Sequence, residues 1–354
     1  MGIKEDLDVY LITFNRKEKL RQTLEKLSSV ESPLRGFEIK ILDNDSTDGT
    51  AELCQEYCAK NPDWKYIKNH RNLGISGNII KAMELACKKW LWVLCDDDDF
   101  DFSVWPEIET ALQSETEYDV VHTTYTVGFR NETYPYLINE EAFIPTAIYN
   151  TKHLTPLTMN NAYAMAYTLL PHHAIGCKVI NENGKIFVPQ GRFVQQGYDD
   201  KCNFIRLSKK GLYHRLDNYQ LLAGYISAYA LIEDEKTRSE VMNVLCLGSS
   251  FKASMGWFID SLPRGDLLWF LDVLALCNED QRNDLKNVFL TNASPELCEK
   301  VVAFFNIWKK DFKVPAYEYY RIRFLHLFTF GKKKAHYKKK LKKLKEIRRQ
   351  TRRK

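Results

Sequence analysis

The chain has 354 residues, 45% of them hydrophobic and 13% aromatic, which suits one large domain or one domain plus a smaller one and excludes wholesale disorder. Its nine cysteines are an odd number without framework spacing, and Cys54 and Cys58 have no second Cys/His pair to complete a zinc site, so reduced thiols packed as small hydrophobes are expected. The net charge of +5 conceals an asymmetry: Gly331 to Lys354 carry fourteen Lys and Arg against one Glu, so an acidic body precedes an intensely basic tail.

The opening MGIKEDLDVYLITF has no apolar run behind a basic region, so no signal peptide is expected. No stretch reaches the roughly 20 apolar residues of a membrane helix. The nearest, Leu267 to Cys277, is short, carries Asp272 and reads as a buried helix. A soluble or surface-bound protein of the cytoplasm is the expectation.

The first 125 residues alternate strand and helix signals. Asp8 to Thr13 (DVYLIT) predicts a strand, and Arg16 to Ser29 has helical spacing through Leu20, Leu24 and Leu27. Phe37 to Leu42 predicts a second strand, with Ser46 or Asp48 placed to cap a helix running to Lys60. A short strand over Trp64 to Lys68 and a helix over Ile79 to Lys88 follow. Trp90 to Cys95 (WLWVLC) is an unbroken apolar strand emptying into Asp96-Asp97-Asp98-Asp99. Such alternation predicts a parallel sheet covered on both faces, with ligands bound beyond the carboxyl ends of its strands. Val120 to Val194 is less regular and suits an extension of the sheet with acceptor-binding loops. Gly224 to Trp308 turns helical, and the chain closes on aromatic residues from Tyr317 to Phe330 and the basic tail.

Four segments fall at expected strand or helix ends: Thr13-Phe14-Asn15-Arg16, Asp43-Asn44-Asp45-Ser46-Thr47-Asp48-Gly49-Thr50, Asn72-Leu73-Gly74-Ile75-Ser76-Gly77-Asn78, and Asp96 to Asp99. Adjacent carboxylates after a buried strand repel one another unless a cation offsets them. Hard Mg²⁺ or Mn²⁺ takes one or two carboxylates plus phosphate oxygens. If the segment is extended, Asp96 and Asp98 point the same way and can share one metal. The plain alternative is an acidic loop capping the next helix near Ser103.

These four segments together resemble an inverting family 2 glycosyltransferase of the GT-A fold. LITFNR is similar to that family's first-strand motif, DNDSTDGT to its second-strand motif, NLGISGN to its Asn-x-Gly segment, and the acidic run stands at its DxD position. The resemblance is strong over residues 7 to 125, moderate to 215 and absent beyond. It implies an α/β fold, a Rossmann-like, mostly parallel sheet flanked by helices and followed by a helical C-terminal region. The expected divisions are a transferase domain over 1–220 (donor half 1–125, acceptor half 126–220), a helical region over 221–316 and a membrane-associating tail over 317–354.

The resemblance also implies roles. Thr13, Phe14, Asn15, Arg16, Asp43, Asn44, Asp45, Asn72, Gly74, Asn78, Asp96 and Asp97 are expected to bind the nucleotide-sugar. Phe14 would stack on the base where the family has Tyr, unless it is an ordinary core aromatic. Asp43 would accept hydrogen bonds from the nucleoside, unless it only shapes the turn before Ser46. Asn44 departs from the family, where a second Asp is common, which leaves the base preference open. Asn72-x-Gly74 is equally readable as a plain helix-entry turn. Asp98 and Asp96 are the expected ligands of Mn²⁺ or Mg²⁺, because the motif directly follows Cys95; Asp99 is then a neighbour. Gly197 to Leu207 resembles the segment carrying the general base, which makes Asp200, ahead of Asp199, the expected acceptor of the hydroxyl proton. A charge pair at a helix N-terminus is the alternative. His172, His173 and His214 are available as a further metal ligand, but none is in register.

In the tail, Tyr337, Leu341, Leu344 and Ile347 fall three or four apart, leaving one apolar stripe on an otherwise basic helix. With its aromatic lead-in it reads as an anchor on anionic lipid at the inner face of the cell membrane, with nucleic acid the weaker reading. A lipid-linked glycan under assembly into polysaccharide or lipooligosaccharide would then be the acceptor, and a UDP-sugar the preferred donor. Two other classes remain: a catalytically silent scaffold of the same fold, and a nucleotidyltransferase, which TFNRKEKL disfavours because it lacks a Gly-rich loop.

Overall fold

The computed structural model describes residues 2–125, 134–197, 212–247 and 279–292, together with Cys298, Val302 and 335–338. The chain divides into two compact units, Met1–Lys252 and Ala253–Lys354. The first contains a seven-stranded mixed sheet. After a short helix α1 (Ile3–Asp6) come β1 (Leu7–Thr13), α2 (Lys17–Ser28), β2 (Ile39–Asp43), α3 (Thr50–Lys60), β3 (Lys65–Lys68), α4 (Gly74–Leu85) and β4 (Trp90–Cys95). These four strands are mutually parallel, in the order β3-β2-β1-β4.

Every residue of β1 is buried, so its two faces must both be covered. Leu7, Val9 and Leu11 alternate onto one face and join Leu20, Leu24 and Leu27 of α2 and Leu53, Cys54 and Tyr57 of α3 in one core. Tyr10 lies on the other face, where its hydroxyl donates to the Leu85 carbonyl at the end of α4, 2.8 Å away. The unbroken apolar runs of β1 and β4 are thus the signature of strands covered on both faces.

Beyond β4 the direction changes. The acidic run turns the chain into a short strand β5 (Asp98–Phe100), after which α5 (Trp105–Leu112), β6 (Val120–His122), α6 (Tyr134–Glu140) and β7 (Ala147–Asn150) follow. Strand β7 runs antiparallel to β4, and β6 antiparallel to β7. Helices α7 (Pro156–Ala164) and α8 (His173–Asn181) then lead to β8 (Ile186–Phe187), which closes the sheet, and to β9 (Val194–Gln196), which pairs with β5 as a separate ribbon. Trp92 anchors this half: it stacks on Trp105 at 6.3 Å, and its indole N–H donates to the Pro145 carbonyl at 2.9 Å.

Two helices, Leu212–Leu231 and Glu235–Leu247, complete the described part of the first unit. Position 220 lies within the helix Leu212–Leu231. This helix is tied to α8 by the Cys177 thiol on the Ala228 carbonyl at 3.3 Å and Asn181 on the Leu231 carbonyl at 2.9 Å. In the second unit the described helix is Glu279–Asn292. The expected helix over Leu267 to Cys277 and nearly all of the basic tail lie outside the described residues. Among the described residues no helix is long and apolar enough to cross a membrane.

Candidate functional site

Strand register brings the candidate residues to one edge. Thr13 lies opposite Asp43 in the β1–β2 pair, and Ile12 opposite Cys95 in the β1–β4 pair. The last residues of three parallel strands are therefore level, and Asp96 falls beside Thr13, whose hydroxyl donates to Asp96 Oδ2 at 2.7 Å.

The loops leaving β1 and β2 interlock. Asn15 and Asp45 adopt left-handed backbone angles (φ 51° and 68°), which short polar side chains tolerate better than most. Asn15 N–H donates to Ser46 Oγ at 2.8 Å, and Thr47 N–H donates back to Asn15 Oδ1 at 2.7 Å. Asp48 accepts from the Lys17 N–H at 2.9 Å and from Thr50 N–H at 3.2 Å, tying the starts of α2 and α3 to one carboxylate. Asp43 is fully buried; its carboxylate accepts from Ser46 N–H at 3.0 Å, Ser46 Oγ at 2.5 Å and the Tyr66 hydroxyl at 2.7 Å. Those contacts fit the turn-shaping alternative for Asp43. Phe14 is 38% exposed at the end of β1, so it is not a core aromatic and offers a free ring face. Lys68 reaches Asp45 at 3.4 Å and the Ser46 carbonyl at 3.2 Å, placing an unforeseen cation at this edge.

Asn72, Gly74 and Asn78 stand at the start of α4. Gly74 has φ 73°, and a Cβ built there would meet nothing within 4 Å, so the glycine serves the backbone angle and leaves open space beside it. Asn44, buried beneath, bonds to this turn.

The acidic run departs from the expected extended segment. Asp96 and Asp97 form a tight turn, closed by the Cys95 N–H donating to Asp98 Oδ2 at 2.9 Å, so the same-side argument for Asp96 and Asp98 does not apply. The four carboxylates instead have distinct partners. Asp96 meets Arg16 Nη1 at 2.8 Å, while Asp97 takes the other guanidinium nitrogen, so Arg16 bridges the pair. Asp99 is exposed and paired with Lys26 at 2.7 Å. Asp98 is 2% exposed and, among the described residues, its Oδ1 has no hydrogen-bond partner. Burial pushes Asp98 well above the usual carboxylate range. Burial likewise raises Asp96, Arg16 pulls it back, and the balance stands at about 6. Two buried carboxylates held above their ordinary range, one with an orphaned oxygen, fit a site that a divalent cation would relieve. Among the described residues no three His, Cys, Asp or Glu side chains converge as a complete metal cage, so phosphate oxygens and water would have to finish the shell.

Other partners of the run were not legible. Thr23, a polar residue within the apolar stripe of α2, donates to the Asp96 carbonyl at 2.9 Å. Gly197 follows β9, and a Cβ there would collide with the Asp97 carbonyl oxygen. Gly197 therefore lies against the acidic run; Tyr198, Asp199 and Asp200 lie outside the described residues. His172 and His173 are core residues: burial pushes His172 down to about 4 and lowers His173 as well, and His172 Nε2 bonds the Glu141 carbonyl oxygen at 2.6 Å. The side chain of His214 is outside the described set.

Comparison with known proteins defines the class. Residues 8–181 match the model of glycosyl transferase family 2, and this part of the chain is a domain of that family. Among curated relatives, the abequosyltransferase RfbV of Salmonella typhimurium is 32% identical over 107 residues, covering 30% of this chain and 32% of its own. The dolichol-phosphate mannosyltransferase of Pyrococcus furiosus is 27% identical over 132 residues, covering 37% of this chain and 36% of its own. The chain thus spans about a third of the length of these curated relatives. Among solved structures, S. aureus TarS 1-349, crystallised with UDP-GlcNAc, superposes with a TM-score of 0.55 at 14% identity, over 89% of this chain and 91% of that one. At 14% identity this likeness is one of fold, and the seven-stranded mixed sheet flanked by helices is GT-A-like.

Proposed function

We propose that the chain is a metal-dependent inverting glycosyltransferase that moves a sugar from a nucleotide-sugar to a hydroxyl of a glycan or lipid-linked glycan. The observation that carries the reading is the acidic turn on a family 2 domain, level with the ends of β1 and β2, with the orphaned Asp98 oxygen at its base. Asp98, assisted by Asp96, would hold Mn²⁺ or Mg²⁺, which when bound would supply positive charge opposite the departing diphosphate. Phe14 offers its exposed ring to the base, and Arg16 holds the turn to β1. In the transfer, Asp200 or Asp199 removes the acceptor hydroxyl proton as that oxygen attacks the anomeric carbon. The new glycosidic C–O bond forms on the face of the anomeric carbon opposite the leaving diphosphate, and the electron pair of the breaking C–O bond leaves with that diphosphate.

A UDP-sugar is the first donor to test. The basic tail, with fourteen Lys and Arg from Gly331 onward, supports docking on anionic lipid at the inner face of the membrane, where a lipid-linked acceptor of polysaccharide or lipooligosaccharide assembly would be found. Two measurements test the reading. Hydrolysis of UDP-, dTDP- or GDP-sugars should require Mn²⁺ or Mg²⁺, stop with chelator and be lost in Asp98→Ala; failure to bind any nucleotide-sugar with or without metal overturns it. Co-sedimentation with vesicles containing phosphatidylserine should be lost when the chain is ended at 330. Equal retention of the shortened chain would remove the tail from the mechanism.

A further inference from the structure

Position 44 carries an asparagine whose four hydrogen-bonding valences are all used inside the protein. Its Nδ2 donates to Asn72 Oδ1 at 2.8 Å and to the Gly74 carbonyl at 3.1 Å. Its Oδ1 accepts from the Leu73 N–H at 2.8 Å and from Asn69 Nδ2 at 3.2 Å. A primary amide has two donors and two acceptor lone pairs, so nothing is left over for a ligand. Asn44 is also 2% exposed.

The network continues through amides alone. Asn69 Nδ2 donates to Asn78 Oδ1 at 2.9 Å, Asn78 Nδ2 donates to the Leu42 carbonyl at 3.1 Å, and Asn72 Oδ1 also accepts the Gly74 N–H at 2.7 Å. These bonds pin the turn of residues 72–74 to the end of β2 and fix Gly74 in its left-handed conformation, next to open space. They also present Leu73 and Ile75 outward, 45% and 51% exposed.

We propose that Asn44 is a positioning residue, a latch holding the Asn72–Gly74 turn in place as one wall of the donor site, and that it does not read the nucleobase. This rests on the nucleotide-sugar reading above and adds which residue sets that wall. A carboxylate at position 44 could still accept from Leu73 and Asn69. It would, however, set an acceptor against Asn72 Oδ1 and the Gly74 carbonyl, where two donated bonds now hold the turn. The consequence for binding is uniform: a displaced wall weakens every nucleotide alike, whereas a lost base contact changes the preference among bases.

The test uses the full chain with UDP and GDP as probes in MnCl₂. By calorimetry, Asn44→Asp should weaken both nucleotides by a similar factor of about ten or more, leaving the UDP:GDP affinity ratio within about twofold of the unsubstituted protein. Gly74→Ala, which strains the turn without touching the Asn44 amide, should give the same uniform loss, with thermal unfolding confirming that both variants are folded. Amide hydrogen exchange on Asn44→Ala reads the latch without any nucleotide: protection at Leu73 should fall about tenfold or more. A tenfold shift in the UDP:GDP ratio, unchanged affinity in both variants, or unchanged protection at Leu73 would each overturn the latch. If the unsubstituted chain binds neither UDP nor GDP, the donor reading passes to the wider nucleotide-sugar screen above, and hydrogen exchange alone decides the latch.

Discussion

The two edges of the parallel strands each hold buried aspartates, and treat them in opposite ways. At the amino edge, Asp8 is fully buried between Lys40 and the N–H groups of Cys87 and Lys88, at 2.7 and 2.8 Å. Burial alone would raise its carboxyl, but Lys40 and the two amides outweigh it and hold Asp8 below the usual range. At the carboxyl edge, Asp98 is nearly as buried, receives one backbone donor and, among the described residues, keeps an oxygen without a partner. Burial there wins. The amino edge is a closed ion pair suited to holding strands together, and the carboxyl edge leaves the Asp98 carboxylate without a cation among the described residues. Active-site charge is commonly arranged at such a cost in stability.

The largest effect should come from opening the closed edge. Asp8→Ala leaves buried Lys40 with Glu38 as its remaining carboxylate partner among the described residues, and should cost about 3–5 kcal/mol of stability. Denaturant unfolding would measure this, and turnover per folded molecule should be unchanged. A loss of turnover without a loss of stability would erase the distinction between the edges. Asp98→Asn probes the open edge and should show the reverse: donor hydrolysis falls by about a hundredfold or more, while the melting temperature holds or rises because a buried charge is removed. A melting temperature several degrees lower, with activity retained, would make Asp98 a structural residue.

The edges should also differ with pH. Asp96, raised to about 6, binds its proton more tightly folded than unfolded, so it stabilises the fold in acid, and this contribution is lost as pH rises from about 4 through 6. Asp8, lowered, contributes stability above the ordinary carboxylate range that is lost as pH falls through its folded value. Unfolding of the metal-free chain across pH 4 to 7 should therefore show a downward contribution, on the order of 2 kcal/mol, that disappears in Asp96→Asn. The smallest effect is expected from Thr23→Val, which removes the donor to the Asp96 carbonyl. About 1 kcal/mol of stability should go, and hydrolysis should fall only a few-fold.

Much of the first 125 residues was legible because their signals are local. The apolar runs DVYLIT and WLWVLC could only be strands buried on both faces, and the stripe Leu20, Leu24, Leu27 could only face that sheet. What was read as an extended acidic segment is a turn, because four polar residues carry no period and the i to i+3 bond from Cys95 to Asp98 is invisible in composition. The ties of the helix Leu212–Leu231 to α8, through Cys177 and Asn181, were not legible because they join residues about fifty positions apart.

By itself the sequence determined the alternation of elements, the placing of four polar segments at their ends, and the family 2 resemblance, since each follows from periodicity or from contiguous residues. Tertiary structure alone decided which carboxylate is paired and which is open. Arg16 serves Asp96 and Asp97, Lys26 serves Asp99, and nothing described serves Asp98 Oδ1. Charge partners are chosen by strand register and helix docking across about seventy to eighty positions of chain, and no local pattern encodes that choice.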